Sequence, residues 1–378
     1  MQKSFLFLSF LILIISCKEI QESPSIVQDI NHTPKIEFAK GFDINYHDGF
    51  KVITLKNAWP ESEKVFKYAL VEKGVQLVSP EKYDAIVTIP IKKIVVTSTT
   101  HIPSLEMLGV DETLIGFPNL DYISSEKTRE RIHGGFIKEL GENEAINTEV
   151  LIDLAPDLVV GFAVDGNNKT LNTIKKTGIP VVYNGDWTET SPLGKAEWIK
   201  FFAAFYDKEE EADRLFHEIK TQYQDAKVLA QQAEIIPTIL SGAMYKDVWY
   251  LPQGNSWAAQ FIADANGDYL WKDTDGTGSL SLNLESVLEE GEHAMIWIGP
   301  SYYTKLDQLK EAHAVYQEFD AFKNNQVYSF TNKKGETGGL LYFELAPNRP
   351  DIVLKDLIKI LHPDLLPDHE FYFFGKLE

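Results

Sequence analysis

Aromatic rings, hydroxyl groups and one histidine are the side chains best suited to chemistry, and they lie in short segments between apolar runs. Aromatic planes with scattered hydroxyl groups suit a large, flat or chelated molecule better than a bare ion. Residues 244–257 are dense in aromatic side chains, and we expect at least one tryptophan there to contact a ligand. Core or loop packing is the alternative for each aromatic residue. The candidate ligand-binding residues are Thr99, Thr100, His101, Phe117, Tyr122, Trp187, Tyr245, Trp249, Trp257, Tyr302 and Arg349.

His101 follows a run of hydroxyl residues at the predicted start of a helix. Three roles are open to it: metal ligand, hydrogen-bond donor to an anion, or structural residue. A site for a free zinc or manganese ion needs clustered histidines and carboxylates. The nine histidines of this sequence are scattered, with no HxH or HxxxH spacing. A receptor for free zinc or manganese is therefore the weaker alternative, and no residue is assigned as a ligand of a resident metal.

Motifs of catalysis do not occur in the sequence. It contains no GxSxG nucleophile elbow, no phosphate-binding P-loop and no GxGxxG dinucleotide fingerprint. The glycine-rich run 333–339 follows none of these patterns, and we interpret it as a mobile loop beside the binding cleft. These observations predict a protein that binds a small molecule without transforming it and that has no intrinsic cofactor. A surface-anchored hydrolase is the alternative from another class.

The N-terminus has the pattern of an export signal. Lys3 supplies a positive charge, and the mostly apolar run 5–15 is too short to span about 30 Å of hydrocarbon. The run ends in the letters IISC, which resemble the lipobox of bacterial lipoproteins and end at Cys17, the only cysteine. This resemblance implies a cleaved signal peptide over 1–16, lipid on Cys17 and a lipidated tether over 17–35. We expect a membrane-anchored lipoprotein, either periplasmic or associated with the outer membrane.

Composition limits the partners of the chain. The 378 residues carry 36 Lys and Arg against 56 Asp and Glu, a formal charge of −20. Such a balance opposes binding to nucleic acid and to anionic lipid surfaces, so we expect membrane contact through the lipid anchor only. The length suits two lobes of about 150 residues with a connector.

Strands and helices alternate from Lys93 onward. Apolar runs over 94–96, 157–161 and 179–183 are separated by helical segments, which predicts α/β lobes with mostly parallel sheets. Ligands of such lobes bind beyond the carboxyl ends of the strands, so the candidate residues should meet in a cleft between the lobes. The predicted parts are a β-rich extension over 36–91, an N-terminal α/β lobe over 92–190, an interlobe helical connector over 191–234 and a C-terminal α/β lobe over 235–378.

Two helix starts share a pattern. Asn147 stands two residues before Glu149, Asn283 stands two residues before Glu285, and a buried strand follows each pair about ten residues later. An asparagine cap and a glutamate in the first turn are favourable at any helix start, so generic capping is one explanation. The same position in two successive α/β series favours two lobes of related topology.

Four stretches of the sequence resemble the periplasmic binding proteins of iron-complex and cobalamin ATP-binding-cassette importers. The resemblance covers about residues 92–367, and it is carried by four segments in the family's order. They are KKIVV through SLEMLG at 92–109, Glu149 through PDLVVG at 156–161, GIPVV at 178–182, and NRPD at 348–351 with HP at 362–363.

The resemblance implies a fold of two Rossmann-like lobes joined by one long α-helix, which would be residues 196–206, preceded here by a small β-rich N-terminal extension. A single helix resists wide hinge opening, so closure on the ligand should be modest. The resemblance also implies that a monomer binds a ferric siderophore, haem or cobalamin and delivers it to a permease with its ATPase subunits. Glu149 and Glu285 match the acidic residues, one per lobe, that dock on arginines of the permease.

Overall fold

The fold is given by a computed structural model that describes residues 35–60 and 62–378. The predicted signal peptide, Cys17 and all of the tether except residue 35 lie outside the described residues. In the described ranges, no helix combines the length and the apolar character needed to cross a membrane.

The strands of the described residues are short. In chain order they are β1 Phe42–His47, β2 Phe50–Leu55, β3 Phe66–Glu72, β4 Ala85–Ile89, β5 Ile94–Val96, β6 Leu114–Phe117, β7 Lys138–Glu139, β8 Gly141–Glu142, β9 Ala145–Ile146, β10 Leu158–Gly161, β11 Val181–Tyr183, β12 Thr238–Ser241, β13 Ala243–Tyr245, β14 Val248–Pro252, β15 Asp268–Tyr269, β16 Ser279–Leu282, β17 Ile296–Ile298, β18 Val327–Ser329 and β19 Gly375–Lys376.

The α-helices lie mostly between these strands. They are α1 Ile102–Met107, α2 Glu126–His133, α3 Thr148–Leu154, α4 Lys169–Lys176, α5 Pro192–Ala196, α6 Ile199–Ala203, α7 Glu209–Ala230, α8 Trp257–Asp264, α9 Leu284–Gly291, α10 Leu306–Ala312, α11 Asp320–Lys323, α12 Leu341–Leu345 and α13 Pro350–Leu361.

The extension that precedes the lobes is a four-stranded sheet in the order β1-β2-β3-β4. The first three strands are antiparallel, and β4 joins β3 in parallel. Alternation of buried and exposed residues along β1 is typical of a sheet with one face on the core. The prediction of antiparallel strands therefore holds for three of the four strands.

The first lobe is built on a fully parallel sheet in the order β11-β10-β5-β6-β7. Every residue of β5 and β10 is buried, as expected for central strands that helices cover on both faces. Because the strands run in the same direction, their carboxyl ends lie at one edge of the sheet. The loops beginning at Thr97, Phe162 and Asn184 therefore leave the sheet on the same side.

The second lobe has a sheet in the order β15-β12-β17-β18-β19, parallel except for the last pair. A separate antiparallel sheet, β13-β14-β16, follows the end of β12. Two α/β lobes with mostly parallel sheets and a β-rich extension confirm the predicted fold class.

The long connecting helix is α7, with 22 residues, and not residues 196–206. That earlier stretch begins at the last residue of the short helix α5 and contains the short helix α6, and all residues of both helices are buried. Aromatic side chains on every face, such as Phe201, Phe202 and Phe205, suit a segment enclosed by its neighbours. α7 instead has glutamates in its first turn and one buried stripe, as expected of a helix with one face in solvent.

Residues 35–41 lie against the connector. The carboxylate of Glu197, which is fully buried, accepts hydrogen bonds from the backbone N–H groups of Glu37, Phe38 and Ala39 at 2.6–3.0 Å. The Phe38 ring packs against the hydrophobic cores of both lobes. The chain therefore enters the body of the protein along the connector between the lobes.

Candidate ligand-binding site

A cavity of about 590 Å³ lies where the two lobes and the extension meet. Its walls come from three parts of the chain, and each part contributes one indole ring. The lining residues are Asn57, Trp59 and Pro60 of the extension, Trp187, Thr188, Glu189, Thr190 and Lys195 of the first lobe and connector, and Trp257, Thr277 and Gly278 of the second lobe.

Trp187 and Trp257, both predicted to bind ligand, face this cavity from opposite lobes. Trp187 follows β11 and packs against Phe162, with ring centroids 5.6 Å apart. Trp257 is the first residue of α8, which Ser256 caps by accepting a hydrogen bond from the N–H of Ala259. Both side chains are half-buried, so each is partly packed in the protein and partly exposed.

Lys195 places a cationic group beside these rings. Its ammonium donates to the carbonyl oxygens of Asp186 and Trp187 at 3.1 and 3.2 Å and lies 5.4 Å from the ring centroid of Trp257. Burial lowers the pKa of Lys195, and the carboxylates of Asp186 and Glu189 act against that shift. An ammonium has three donors, so one remains for a ligand.

A second cavity of about 320 Å³ opens at the carboxyl ends of β12 and β17. It shares Trp257 with the first cavity, so one aromatic side chain separates the two spaces. Its other aromatic walls are Tyr250, Phe261, Phe330, Tyr342, Phe343 and Phe374. Phe330 stacks on Tyr342 at 5.0 Å, which gives an apolar surface suited to a flat ring system.

Thr99 and Thr100 are half-buried in the loop after β5, as predicted for this edge of the sheet. The Thr100 hydroxyl donates to Asp186 Oδ2 at 2.8 Å. Its carbonyl oxygen accepts from the amide of Asn348, at 3.0 Å, in the other lobe. Thr100 therefore connects the loop that carries Trp187 with the second lobe.

Three predicted site residues are core residues instead. Trp249 is fully buried, stacks on Trp297 and donates its indole N–H to the Ser241 carbonyl. Phe117 is 2% exposed at the end of β6. His101 is fully buried against Phe202, and burial lowers its pKa, so its ring is neutral and closed to a ligand. For these three residues the prediction of ligand contact is wrong in this conformation.

The remaining candidates lie on the surface or in other contacts. Tyr122, Tyr245 and Tyr302 are each about two-thirds exposed, at 63%, 66% and 66%. The Arg349 guanidinium forms two hydrogen bonds with the Asp351 carboxylate, at 2.9 and 2.7 Å, at the start of α13. A role of these four side chains in ligand binding stays a prediction.

Sequence reasoning missed several cavity residues. Trp59, Lys195, Tyr250, Phe330 and Phe343 line one of the two spaces and were not predicted. Tyr250 had a usable signal, because it alternates with buried Trp249 and Leu251 along β14. Trp59 had none, because the extension reaches the cavity only through tertiary packing.

A separate contact joins the lobes at Glu344 of α12. Its two carboxylate oxygens accept from the backbone N–H groups of Ser124 and Ser125 at 2.7 and 2.9 Å. The adjacent run 333–339 also lies on the first lobe, where the Thr337 hydroxyl donates to the Asp121 carbonyl at 2.6 Å. Burial raises the pKa of Glu344 to about 7, the two N–H groups lower it, and the Glu106 carboxylate raises it further.

We expect the folded protein to lose stability as the pH rises, because the buried carboxyl group of Glu344 must then ionise. A carboxyl group with a raised folded-state pKa binds more protons in the folded than in the unfolded protein between its ordinary pKa, 4.5, and about 7. Glu344 should therefore remove about 3 kcal/mol from the free energy of unfolding as the pH increases through that window. Urea denaturation at pH 4.5, 6 and 8 measures the loss.

The Glu344→Gln variant should show a flatter dependence than the wild type, because its amide does not titrate. Glu126→Gln is the control, since Glu126 is an exposed carboxylate of the same interlobe space, which also contains Glu336, Lys333 and Lys334. Equal pH slopes for the wild type and Glu344→Gln would contradict this role of Glu344.

Glu149 and Glu285 occupy equivalent places. Each is the second residue of its helix, α3 or α9, and each is exposed. Asn147 and Asn283 cap these helices by accepting from the N–H groups of Val150 and Ser286. One exposed carboxylate is thus fixed in the first turn of one helix in each lobe.

Metal-ligating side chains do not cluster in the part of the chain that the structure describes. No group of three or more His, Cys, Asp or Glu residues in the ranges 35–60 and 62–378 could hold a metal ion.

Comparisons with known proteins add to this geometry. A sequence model of the family described as periplasmic binding protein matches residues 94–333. The chain is 28% identical, over 371 residues, to an uncharacterized lipoprotein of Methanocaldococcus jannaschii, and the alignment covers 93% of this chain and 87% of that relative.

Solved structures of the same architecture include a possible iron-binding, periplasmic solute-binding protein of Staphylococcus epidermidis. Its TM-score is 0.57 at 19% identity, covering 72% of this chain and 99% of that one. A siderophore-binding protein of Vibrio cholerae with bound Fe³⁺–Desferal has a TM-score of 0.52 at 15% identity, covering 71% and 99%. At these identities the likeness concerns the fold.

Proposed function

The chain belongs to the periplasmic binding protein family, and from that premise we propose that it is the solute-binding lipoprotein of an ATP-binding-cassette importer. It captures a metal complex between its lobes and delivers the complex to the permease. The ligand is a ferric siderophore, haem or cobalamin, and the protein acts on it as a carrier and not as an enzyme. The partners are the permease and its ATPase subunits, and the carrier is a monomer.

The interlobe cavity carries this proposal. Trp187 and Trp257 approach one space from opposite lobes, and Lys195 adds a donor beside them. Two rings and one ammonium suit a bulky chelate with apolar faces and anionic or acceptor groups, because stacking and a charge-assisted hydrogen bond act together. One fold neighbour, the siderophore-binding protein of V. cholerae, holds such a chelate, Fe³⁺–Desferal, and another is a possible iron-binding protein.

The site of action is outside the cytoplasm. The export signal and Cys17 agree with the lipoprotein nature of the relative from M. jannaschii. A lipid on Cys17 would hold the carrier at a membrane. Labelling the cysteine with radioactive palmitate in producing cells tests this anchor, and the Cys17→Ser variant should stay unlabelled.

Docking on the permease is assigned to Glu149 and Glu285. Exposed carboxylates at helix starts contribute little to stability but steer association with a basic partner. Their equivalent positions in α3 and α9 support a two-point contact, with one point in each lobe.

Titration of intrinsic fluorescence tests the ligand class. We expect one of ferrioxamine, hemin or cyanocobalamin to quench tryptophan emission of the full lipidated protein in detergent, because Trp187 and Trp257 face the cavity. Isothermal calorimetry of the same mixtures separates binding from optical absorption by the chelate. Tight binding of zinc with no response to any chelate would favour the free-metal receptor and overturn the proposal.

A further inference from the structure

We propose that the β-rich extension forms one wall of the ligand cavity and that Trp59 contacts the ligand there. The inference rests on the proposed carrier function and assigns a task to a part of the chain that precedes the two lobes. The ligand class that fits is a planar aromatic or macrocyclic molecule with an anionic or hydrogen-bond-accepting edge.

The first step is the position of Trp59. It lines the cavity of about 590 Å³ together with Trp187 and Trp257, so three indole rings from three parts of the chain surround one space. Lys195 lies on the same wall as Trp187, and its ammonium keeps one free donor. Aromatic faces and a single cation suit a flat ligand with a negative edge.

The second step is the rigidity of the Trp59 ring. Its edge-to-face contacts are with Phe66 at 5.7 Å and with Tyr183 at 5.5 Å. Phe66 belongs to the extension, while Tyr183 is the last residue of β11, an edge strand of the first lobe. A Cβ atom on Gly166 would lie 3.2 Å from Cζ2 of the indole. The ring is therefore held by contacts with the extension and with the first lobe before a ligand arrives.

The third step is the attachment of the backbone around Trp59. The Thr188 hydroxyl lies within hydrogen-bond distance, 3.1 Å, of the Asn57 carbonyl. A Cβ atom on Gly185 would lie 2.9 Å from the same carbonyl oxygen, so glycine is needed there for the two chains to touch. The loop that carries Trp187 thus binds the extension directly, and the two indoles keep a fixed relation to each other.

The fourth step is a carboxylate that ties the start of the extension to the same loop. Glu189 lines the cavity and accepts from the backbone N–H groups of Lys40 and Gly41 at 2.8 and 2.7 Å. It also accepts from the indole N–H of Trp198 at 3.2 Å. A wall attached at two points to the loop that carries Trp187 serves as a permanent part of a binding site.

The test uses the full lipidated protein in detergent and hemin, a planar macrocycle with two carboxylates, as the probe. Trp59→Ala should weaken hemin binding by roughly 5- to 100-fold, the range expected for the loss of one aromatic stacking partner. Trp59→Phe keeps a ring against Phe66 and Tyr183 and should fold even where the alanine variant does not. The loss of hemin affinity in Trp59→Phe should be smaller than in Trp59→Ala, at about 2- to 10-fold.

Phe50→Ala is the matched control. Phe50 begins β2 at the end far from Trp59, so the variant removes an aromatic ring from the same sheet without touching the cavity. Its hemin affinity should equal that of the wild type.

The possible outcomes distinguish a failure of the carrier function from a failure of the inference about Trp59. If the wild type binds neither hemin, ferrioxamine nor cyanocobalamin, the carrier function itself fails. If it binds ferrioxamine but not hemin, the planar ligand class is wrong. If it binds hemin and a folded Trp59→Phe or Trp59→Ala variant binds equally well, the extension does not contact the ligand and the inference falls.

Discussion

Replacing both Glu149 and Glu285 with glutamine should abolish uptake of the ligand by cells. The affinity of the carrier for the ligand should stay unchanged. Both carboxylates are exposed in first turns of helices, so their loss should cost about 0.3–1 kcal/mol each in stability. A basic receptor surface, however, would lose both of its charge contacts at once. Truncating one partner of a desolvated charge pair costs about 2–5 kcal/mol in binding, because the other charge is left unpaired.

The measurement is uptake of radioactive ligand by cells in which the variant replaces the wild-type protein, with calorimetric affinity measured in parallel. Each single variant should reduce uptake by about 10-fold or more, given the cost per contact. The matched control is Asp153→Asn with Glu289→Gln, which neutralises two exposed carboxylates farther along the same helices α3 and α9. Normal uptake by the Glu149 and Glu285 double variant, or a loss of ligand affinity, would refute the docking role.

Local signals in the sequence were sufficient for several helices. Helix α13 begins at Pro350, which fixes its first turn, and its apolar pattern runs to the last residue, Leu361. The helices near 148–154 and 169–176 begin after asparagine caps that the structure shows accepting from backbone N–H groups. Caps and periodicity act within a few residues, so a sequence is enough to read them.

The connector was harder to predict because its character depends on what surrounds it. Residues 196–206 look like one apolar helix, yet they form parts of two short buried ones. The role of the long connecting helix belongs to α7, whose charged face gave no sign of a special position. The apolar composition of a segment indicates that it is buried, but it does not give the length of its helix. Only the tertiary structure decides which of two neighbouring helical segments is the long one.

Some residues of the cavity were likewise predictable from the sequence, and others were not. The position of Trp187 was predictable because it follows β11, at the edge where a parallel sheet places its ligand loops. Trp257 follows a strand of the antiparallel sheet, and its signal was the aromatic density of residues 244–257. The prediction that Trp249 contacts a ligand was wrong because alternation along β14 identifies two faces of the strand without showing which face lies in the core. The prediction that His101 contacts a ligand was wrong because the hydroxyl-rich loop directs its ring inward against Phe202. Trp59 arrives from a separate sheet, and no local pattern records such a contact.

Replacing Glu197 with leucine should have the largest effect on stability. Its carboxylate is fully buried and accepts from the N–H groups of Glu37, Phe38 and Ala39, and it lies 3.0 Å from the ammonium of Lys200. Leucine would leave three backbone donors without this acceptor, while the buried ammonium of Lys200 keeps Asp213 and the Lys35 carbonyl as partners. Each buried donor left unsatisfied costs about 1–3 kcal/mol, so the total loss should be several kcal/mol.

Glu197→Gln keeps the shape and one acceptor oxygen, so it should cost less than leucine, about 1–3 kcal/mol. Chemical denaturation followed by circular dichroism measures both. Glu37→Gln is the control on the same segment, since its pair with Lys220 is partly exposed and should be worth about 0–1 kcal/mol. If Glu197→Leu lies within about 1 kcal/mol of the wild type, the N–H groups of residues 37–39 have other acceptors, and residues 35–41 are not held to the connector by Glu197. A loss of several kcal/mol in the free energy of unfolding would mean that Glu197 holds residues 35–41 on the connector between the lobes.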